Sequence, residues 1–419
     1  MLIIHNTSQV VPLTAKAQRG RVLGTLNIIE NGAVAIDGEK ITELGKADDL
    51  FAKYPGAEKL DAHGNALLPG FVDPHTHLIW AGDRAAEFEM RLEGKTYMEI
   101  MAAGGGIASS VKDTRAASFD ELLSQSRTRA LVCFKHGSTT IEAKTGYGLD
   151  LETEIRQLEV ILRLNKEGPF ELVPTYMGAH AIPEEYNGDA DGYTEFITDR
   201  ALPTVRDWWL EHASGQALPF VDVFCEIGVF DLQHTTEILS TARSLGFPTK
   251  VHADEFSNIG GASLAAQSGS VSADHLVKTS QEDIQALATT DTVAVSLPGT
   301  PFGLGQDEFT PASEIIEANG YLALATDLNP GTTWNESMQM IQAIACRYLK
   351  LTPAQALVAS TINAAKAVLR EDQLGSLTPG KQADLILLNS PNYRNLSYRY
   401  GTNQVAMVIK KGVLYPNPA

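Results

Sequence analysis

Residues 69–77 read Pro-Gly-Phe-Val-Asp-Pro-His-Thr-His, an apolar strand-like run that ends in two histidines. Residues two apart on a strand project to the same side, so this spacing predicts that His75 and His77 direct two imidazoles at one point. The structural alternative is a pair of partly buried histidines whose nitrogens bond to backbone carbonyls. The residues at the ends of the other strands therefore decide whether His75 and His77 bind a ligand or are simply buried.

Further strand-like runs alternate with helical patterns along the middle of the chain. The eight predicted strands cover residues 70–77, 138–144, 171–180, 221–226, 249–254, 271–275, 292–297 and 321–327. Helices are predicted at 119–136 after the cap-like Ser118, at 151–165, at 235–245, and at 281–288 after Ser280. Eight β/α units in about 260 residues match the usual size of a (β/α)8 TIM-like barrel. The alternative is a doubly wound open sheet, which usually has fewer strands and a glycine-rich phosphate turn after a strand.

Both ends of the chain show short β-type segments instead of β/α units. They are predicted at residues 2–4, 33–36 and 40–44, which Asn31-Gly32 and Asp37-Gly38 turns separate, and at 383–388 and 405–409. Pairing of the two ends would form one small β-sandwich domain beside the barrel. We therefore predict an α/β protein with a barrel at 68–372 and a small β domain made of residues 1–67 and 373–419.

The composition narrows the class of partner. Among 419 residues, 33 basic and 51 acidic side chains give a formal net charge of -18, which disfavours nucleic acid and anionic membranes as partners. Three cysteines without close pairing indicate neither a disulfide framework nor a thiolate zinc site. With no leader-like start and no run of 18 apolar residues, we expect a protein of the reducing cytoplasm.

Polar side chains end several of the other predicted strands. His252 falls at the end of the fifth strand, His275 at the end of the sixth and Asp327 at the end of the eighth. Functional groups of barrels concentrate at the carboxyl ends of strands, so these residues are expected to meet His75 and His77. Imidazoles with a carboxylate and no thiolate suit Zn2+ or Fe2+ better than Mg2+ or Ca2+. Such a cation lowers the pKa of water towards about 7 and so supplies a nucleophile.

Several longer strings carry a family resemblance. Residues 75–84 read His-Thr-His-Leu-Ile-Trp-Ala-Gly-Asp-Arg, 142–148 read Glu-Ala-Lys-Thr-Gly-Tyr-Gly, and 325–331 read Ala-Thr-Asp-Leu-Asn-Pro-Gly. Residues 178–180 (Gly-Ala-His) and 252–255 (His-Ala-Asp-Glu) belong to the same pattern. Together with the first motif, these strings resemble the amidohydrolase superfamily and, within it, the imidazolonepropionase family. The likeness runs almost from end to end.

The resemblance implies a cofactor and a reaction. The metal ligands would be His75, His77, His252 and Asp327, which hold one ion per subunit, Zn2+ or Fe2+/Fe3+. The reaction would open the cyclic amide of 4-imidazolone-5-propanoate to N-formimidoyl-L-glutamate in histidine degradation, and a homodimer is expected. The predicted fourth strand has no lysine, which favours one metal over two. Lys144 on the second strand is interpreted as a residue of a polar network, with a carboxylated lysine left open.

Ring opening of an amide needs a proton donor, a base and a grip on the substrate. Catalytic roles fall to Glu255 as proton shuttle, to Asp327 as acceptor of a proton from water, and to His275, which orients water without contacting the metal. Arg84 is predicted to grip the carboxylate arm, because its planar fork matches both oxygens. The predicted substrate-binding set is Arg84, Tyr97, Tyr147, His180, Glu255, Asn329, Gly331 and Thr332.

Each of these proposed roles has a purely structural alternative. Glu255 would otherwise be a solvated loop residue, Arg84 a surface ion pair, and residues 329–331 (Asn-Pro-Gly) a plain turn. Two competing functions also remain: a deaminase of a nitrogen heterocycle with the same metal site, and a catalytically silent metal-binding scaffold. A carboxylate-binding role for Arg84 favours the cyclic-amide hydrolase over a deaminase that acts on a neutral base.

Overall fold

Eight parallel strands form the centre of the molecule. The structure is a computed structural model that describes residues 1–95, 99 and 105–417. Each strand pairs in parallel with the next along the chain, from first to eighth. The strands are Phe71–Asp73, Ser138–Lys144, Glu171–Ala179, Phe220–Cys225, Thr249–Ala253, Ser272–His275, Val293–Ser296 and Tyr321–Leu324. The predicted (β/α)8 barrel is thereby confirmed, and the open-sheet alternative is wrong.

The first and eighth strands meet just beyond their carboxyl ends. The amide of Asp327 donates to the carbonyl of His75 at 3.1 Å, and the amide of His77 donates to the carbonyl of Leu328 at 2.9 Å. Thr76 and Leu328 form a parallel bridge at the same place. The barrel therefore closes through the segments that carry the first histidine motif and the final aspartate.

Helices cover the outside of the barrel and begin at side-chain caps. Ser118 and Glu121 form a reciprocal capping box, as do Ser280 and Asp283. The helix predicted at 235–245 begins earlier, at Leu232, because the carboxylate of Asp231 accepts the first free amides.

The described α-helices are Ala47–Lys53, Ala85–Leu92, Ile107–Ala116, Phe119–Lys135, Leu151–Glu167, Ala190–Phe196, Leu202–His212, Leu232–Ser244, Gly261–Ser268, Gln281–Ala288, Gly299–Leu304, Ala312–Glu317, Met338–Tyr348, Pro353–Ala359, Ile362–Lys366 and Asn395–Tyr398. Short 3-10 turns cover Gly20–Val22 and Glu184–Tyr186, and a π-helical turn covers Ile197–Ala201. Within the part of the chain that the structure describes, no helix has both the length and the apolar character needed to cross a bilayer.

The chain ends form two further sheets. A four-stranded sheet holds Lys40–Lys46, Gly32–Asp37, Leu2–His5 and Glu58–Asp61, in that order. A six-stranded sheet holds Val413–Pro416, Val405–Lys410, Leu385–Leu388, Leu67–Pro69, Gln9–Val10 and Ile29–Glu30. Because Leu385–Leu388 pairs with Leu67–Pro69, both ends share one sheet, as predicted. The domain limits at 67 and 372 stay a prediction.

The predicted first and eighth strands extend too far towards their carboxyl ends. Regular pairing stops at Asp73 and at Leu324, and the next residues leave the ladder. The Asp73 carboxylate accepts from the amide and hydroxyl of Thr326, at 3.0 and 2.5 Å, while the Pro74 carbonyl accepts from the Lys250 ammonium at 2.6 Å. Side-chain hydrogen bonds thus supplement a few backbone contacts beyond the regular ladder, and residues 74–77 and 325–328 carry the side chains of the site.

Candidate active site

Four predicted ligands meet at one point at the carboxyl end of the barrel. The Nε2 atoms of His75 and His77 lie 3.6 and 3.7 Å from Oδ1 of Asp327. His252 places its Nε2 atom 3.2 Å from Nε2 of His77. Donors at about 2.05 Å from a tetrahedral cation are about 3.3 Å apart, so these separations fit one shared ion.

Neutral imidazoles are the form that binds a metal, and burial favours that form here. Desolvation lowers the pKa of His75 well below its ordinary value, and the positive charge of Lys144 acts in the same direction. Desolvation and the neighbouring His180 do the same to the pKa of His77. Both rings therefore keep a nitrogen lone pair at neutral pH.

The buried Nε2 atom of His75 is direct evidence for a metal site. The Nδ1 atom of His75 lies 2.6 Å from Oδ2 of Asp274, whereas its buried Nε2 atom has no hydrogen-bond partner among the described residues. The Nδ1 atom of His252 lies 3.1 Å from Oδ1 of Asp222, without the alignment of a hydrogen bond. A buried nitrogen without a partner is costly unless an ion completes it. The donor set therefore fits a divalent cation.

Asp327 reaches the cluster from a left-handed backbone. Its φ is +53°, a conformation that non-glycine residues seldom adopt and that is concentrated at functional sites. The Thr300 hydroxyl donates to Oδ2, and the Asn329 side-chain amide donates to the Asp327 carbonyl at 2.7 Å. Burial raises the pKa of the Asp327 carboxyl to about 6. Oδ1 remains turned towards the histidines.

The predicted proton shuttle and its neighbour lie beside the same point. Oε2 of Glu255 is 3.5 Å from Nε2 of His275. Burial raises the pKa of Glu255 well above its ordinary value, and the charge of Asp327 adds to the shift. His275 is close enough to His75 and His252 to form a possible ligand triad, so its predicted role without metal contact stays a prediction.

A cavity of about 690 Å³ opens from the cluster. Its wall contains eleven of the predicted site residues, namely His77, Arg84, Tyr147, His180, His252, Glu255, His275, Asp327, Asn329, Gly331 and Thr332. The remaining predicted ligand, His75, is fully buried and is not part of the wall. Tyr97 lies outside the described residues, and its role stays a prediction.

Arg84 faces this cavity, and one edge of its guanidinium is already hydrogen-bonded to another side chain. Its Nε and Nη2 atoms donate to Oε2 of Glu87 at 2.9 and 2.7 Å. A Cβ atom at Gly331 would lie 2.2 Å from Nη1 of Arg84, so glycine is what lets the guanidinium approach this loop. The side chain is mostly buried, which does not fit the alternative of a surface ion pair.

Two ring-bearing residues complete the wall above the histidines. The His180 ring is stacked on the ring of His77, with centroids 4.7 Å apart and planes at 21°. Its Nδ1 atom lies 2.9 Å from the Gly146 carbonyl, which leaves Nε2 for the cavity. Burial lowers the pKa of His180 to about 3, so the ring is neutral. Tyr147 is buried beside it, 5.3 Å between ring centroids.

Asn329 forms the turn that was the alternative to substrate binding for residues 329–331. Its Oδ1 atom accepts the amides of Gly331 and Thr332, each at 2.8 Å. The same three residues line the cavity. The turn and the predicted binding role are therefore compatible, because the turn fixes the backbone that faces the cavity.

Comparison with known proteins identifies the family. A curated imidazolonepropionase of Herpetosiphon aurantiacus is 50% identical over 98% of this chain and 96% of the relative. The imidazolonepropionase of Chloroflexus aggregans is 45% identical over 98% of this chain and 97% of the relative. The chain belongs to the imidazolonepropionase family. The family model described as the amidohydrolase family also matches residues 238–414. This chain is accordingly a hydrolase, and its cluster of histidines and aspartate indicates a divalent metal.

Two solved structures with a similar fold are less similar in sequence to this chain than the imidazolonepropionases above. A zinc-bound adenosine deaminase from Xanthomonas campestris has a TM-score of 0.71 and 19% identity, over 99% of this chain and 92% of that one. A triazine hydrolase variant has a TM-score of 0.77 and 15% identity, over 99% of this chain and 94% of that one. At these identities the likeness concerns the fold alone.

The imidazolonepropionase motifs did not point to the carboxylates behind the metal ligands. Asp274 directly precedes His275, and Asp222 lies in the fourth strand. The available signal was that Asp222 interrupts the otherwise apolar strand Phe220–Cys225, whereas the polar strand Ser272–His275 gave no such signal for Asp274. Lys144 was correctly placed in a polar network, because its ammonium lies 2.6 Å from both Glu142 and Asp222.

Proposed function

We propose that this protein hydrolyses the cyclic amide of 4-imidazolone-5-propanoate to N-formimidoyl-L-glutamate, a step of histidine degradation. One observation carries the proposal beyond family membership. A mostly buried guanidinium, Arg84, lies on the wall of the same cavity as the metal-ligand cluster. A substrate with a polar ring and a carboxylate arm matches the metal-ligand cluster and this guanidinium.

The metal site has four proposed ligands: His75, His77, His252 and Asp327. When a divalent cation is bound there, it polarises the ring carbonyl and lowers the pKa of water. Three nitrogen donors and one oxygen donor without thiolate suit Zn2+ or iron, and we propose one such ion per subunit. Metal analysis of protein purified from iron-supplemented and zinc-supplemented cultures distinguishes the two.

The protein's own groups provide the proton transfers. Hydrolysis forms one carbon–oxygen bond at the ring carbonyl, breaks the carbon–nitrogen bond of the ring, and moves one proton from water to the leaving nitrogen. Asp327 is the proposed acceptor of the water proton, and Glu255, on the cavity wall, is the proposed donor to nitrogen. His275, 3.5 Å from Glu255, orients these groups.

Substrate recognition is proposed to divide between two groups of wall residues. The Nη1 side of Arg84 binds the carboxylate arm, while Asn329, Gly331 and Thr332 shape the adjoining wall. Tyr147 and His180 offer hydrogen-bonding groups to the heterocycle. Tyr97 belongs to the same proposed set.

The direct test is the reaction itself. Freshly generated 4-imidazolone-5-propanoate is incubated with the protein, and the loss of its ultraviolet absorbance is followed with and without a chelator. We expect turnover that the chelator abolishes and that Zn2+ or Fe2+ restores. Absence of turnover in metal-loaded protein would contradict the proposal and would leave the scaffold alternative, whereas ammonia release from a neutral heterocycle would favour the deaminase.

The carboxylate grip has a sharper test. Arg84→Ala should raise KM for the imidazolone by at least tenfold, because a charge-assisted contact worth about 1.5–3 kcal/mol is lost. Arg127→Ala, which removes an arginine paired with Glu167 on the outer helices, serves as the matched control. An unchanged KM in Arg84→Ala would show that this arginine does not bind the substrate.

Partners and location are part of the same proposal. We propose a homodimer that acts on a small molecule, without nucleic acid or membrane partners, in the cytoplasm. The net charge of -18 supports the absence of nucleic-acid and anionic-membrane partners. The free thiols of Cys133, Cys225 and Cys346 support a reducing compartment. Light scattering after size-exclusion chromatography tests the dimer, and cell fractionation tests the location.

A further inference from the structure

Five fully buried charged side chains lie together behind the metal-ligand cluster. We call them the inner charge cluster: Glu142, Lys144, Asp222, Lys250 and Asp274. They come from the second, fourth, fifth and sixth barrel strands. Neither the reaction nor substrate binding, as proposed above, uses any of them. Their presence in a barrel interior needs a reason, because buried charges are costly unless each is paired.

Two ammonium groups connect the three carboxylates. Lys144 lies 2.6 Å from Oε1 of Glu142 and 2.6 Å from Oδ2 of Asp222. Lys250 lies 3.6 Å from Oε1 of Glu142 and 3.6 Å from Oδ2 of Asp274. Glu142 thus lies between the two lysines, and each lysine also contacts one aspartate.

The carboxylate of each of those aspartates contacts a different proposed metal ligand. Asp274 is 2.6 Å from Nδ1 of His75, and Asp222 is 3.1 Å from Nδ1 of His252. An ionised carboxylate only accepts hydrogen bonds, so the contact at His75 calls for a proton on Nδ1, and the less well-aligned contact at His252 favours the same tautomer. The Nε2 atom of each ring then carries the lone pair, and these are the atoms that face the common point.

We propose that Asp222 and Asp274 are positioning residues that fix the Nδ1–H tautomer of His252 and His75, with Lys144 and Lys250 holding the two carboxylates in place. The inner charge cluster therefore prepares two of the four ligands before any metal arrives. This inference depends on the metal site of the proposed function. It does not depend on the substrate.

The other two histidines at the site provide an internal contrast. The Nδ1 atom of His252, 3.1 Å from Asp222, lacks a well-aligned hydrogen bond in this structure. The Nδ1 atoms of His77 and His275 lack one too, and no carboxylate among the residues described lies beside them. Their tautomers are therefore not set by a carboxylate in this structure. We therefore expect the strongest tautomer preference at His75, a weaker one at His252, and none set by a carboxylate at His77 or His275.

The tautomers are read by nitrogen NMR of metal-free, 15N-histidine-labelled protein. We expect the pattern of a proton on Nδ1 for His75 and His252, each signal assigned by its loss in a His→Gln variant. In Asp274→Ala, the His75 signal alone should change to the Nε2–H pattern or to a mixture. In Asp222→Ala, only the His252 signal should change.

Metal affinity is the second readout, measured by competition with a chelator. Each aspartate variant should bind Zn2+ about 10- to 100-fold more weakly than the wild type. Thr175→Val is the matched control, because its buried hydroxyl donates to Glu142 of the inner charge cluster at 2.5 Å. That variant should lose stability and keep both tautomers and metal affinity. Asp274→Leu and Asp222→Leu, which carry no hydrogen-bond acceptor, replace any alanine variant that does not fold.

The outcomes separate this inference from the proposed function. A proton on Nε2 of His75 or His252 in the wild type, or unchanged tautomers and affinity in both aspartate variants, would overturn the inference. A wild type that shows the Nδ1–H pattern and binds no divalent cation would instead contradict the metal site. An equal loss of affinity in Thr175→Val would reduce the aspartates to a purely structural role.

Discussion

Arg84 shows how a single side chain depends on its neighbours. One edge of its guanidinium is bound to Glu87, which also accepts the amide of Gly106 at 2.9 Å through its other oxygen. Glu87 is itself buried and therefore cannot move aside without leaving charge uncompensated. The position of the carboxylate-binding group is thus determined by a residue that never touches the substrate.

A substitution at Glu87 follows from that arrangement. Glu87→Gln should raise KM for the imidazolone about tenfold, or ~1.4 kcal/mol, because Arg84 loses the charge that orients it. The value of kcat should stay within about twofold, since the reacting centre is unchanged. Steady-state kinetics measures both constants, and Glu89→Gln, on the same helix, is the control. A fall in kcat with KM unchanged would show that Glu87 acts on the chemistry instead.

At the scale of secondary structure, the sequence predicts most elements and loses accuracy where the site begins. Ser138–Lys144 and Gln281–Ala288 match the prediction at both ends, because a run of β-branched residues marks the strand and a capping box marks the start of the helix. The strand predicted at 321–327 stops at Leu324, and Asp327 beyond it adopts a left-handed backbone, which aspartate tolerates better than most residues but which its type alone does not predict. Long-range contacts, such as Asp73 with Thr326, decide such ends.

The same limit applies to the site. His75, His77, His252 and Asp327 were predicted from a motif and from strand ends, and the structure brings them together. Asp222 and Asp274 were missed because only the three-dimensional arrangement shows which imidazole each one faces. Pairs that form across strands, without a fixed sequence spacing, cannot be read from one sequence.

One helix start offers a test that is independent of the site. The Ser118 hydroxyl accepts the Glu121 amide, and the Glu121 carboxylate accepts the Ser118 amide at 2.8 Å. Ser118→Ala should lower the free energy of unfolding by about 1 kcal/mol, the usual value of an N-cap, and leave kcat/KM unchanged. Urea unfolding measures the first quantity. Ser124→Ala, inside the same helix, is the control and should have little effect.

At the scale of the whole molecule, the metal site joins parts that are distant in sequence. Its proposed ligands follow the first strand, lie in the fifth strand and follow the eighth, so a bound ion crosslinks the closure of the barrel. Metal at about 1,000 times its Kd should stabilise the fold by about 4 kcal/mol. We expect chelation to lower the thermal midpoint, which differential scanning calorimetry measures. Arg84→Ala keeps all four donors and should show the same loss, whereas His252→Ala should show little further loss on chelation.

A second long-range connection joins the end sheet to the barrel. The Lys410 ammonium, at the end of Val405–Lys410, lies 2.7 Å from Oδ2 of Asp384 and 3.2 Å from Oε2 of Glu171. Glu171 is the first residue of the third barrel strand. Partial burial opposes ionisation of Glu171, but the charge of Lys410 prevails, so the pKa of Glu171 is below its ordinary value of 4.5. The two units are thus held together by a pH-sensitive contact.

The pH dependence of that contact has a definite sign. Because the pKa of Glu171 is lower in the folded chain than in the unfolded chain, its contribution to stability is complete above about pH 4.5 and is lost as the pH falls through the folded value. Glu171→Gln should therefore be less stable than the wild type at pH 7, with the difference shrinking steadily below pH 4.5. Urea unfolding of both proteins between pH 3 and 7 measures this difference, with exposed Glu159→Gln as the control. A difference that stays constant across that range would mean that the ionisation of Glu171 is not what joins the sheet to the barrel.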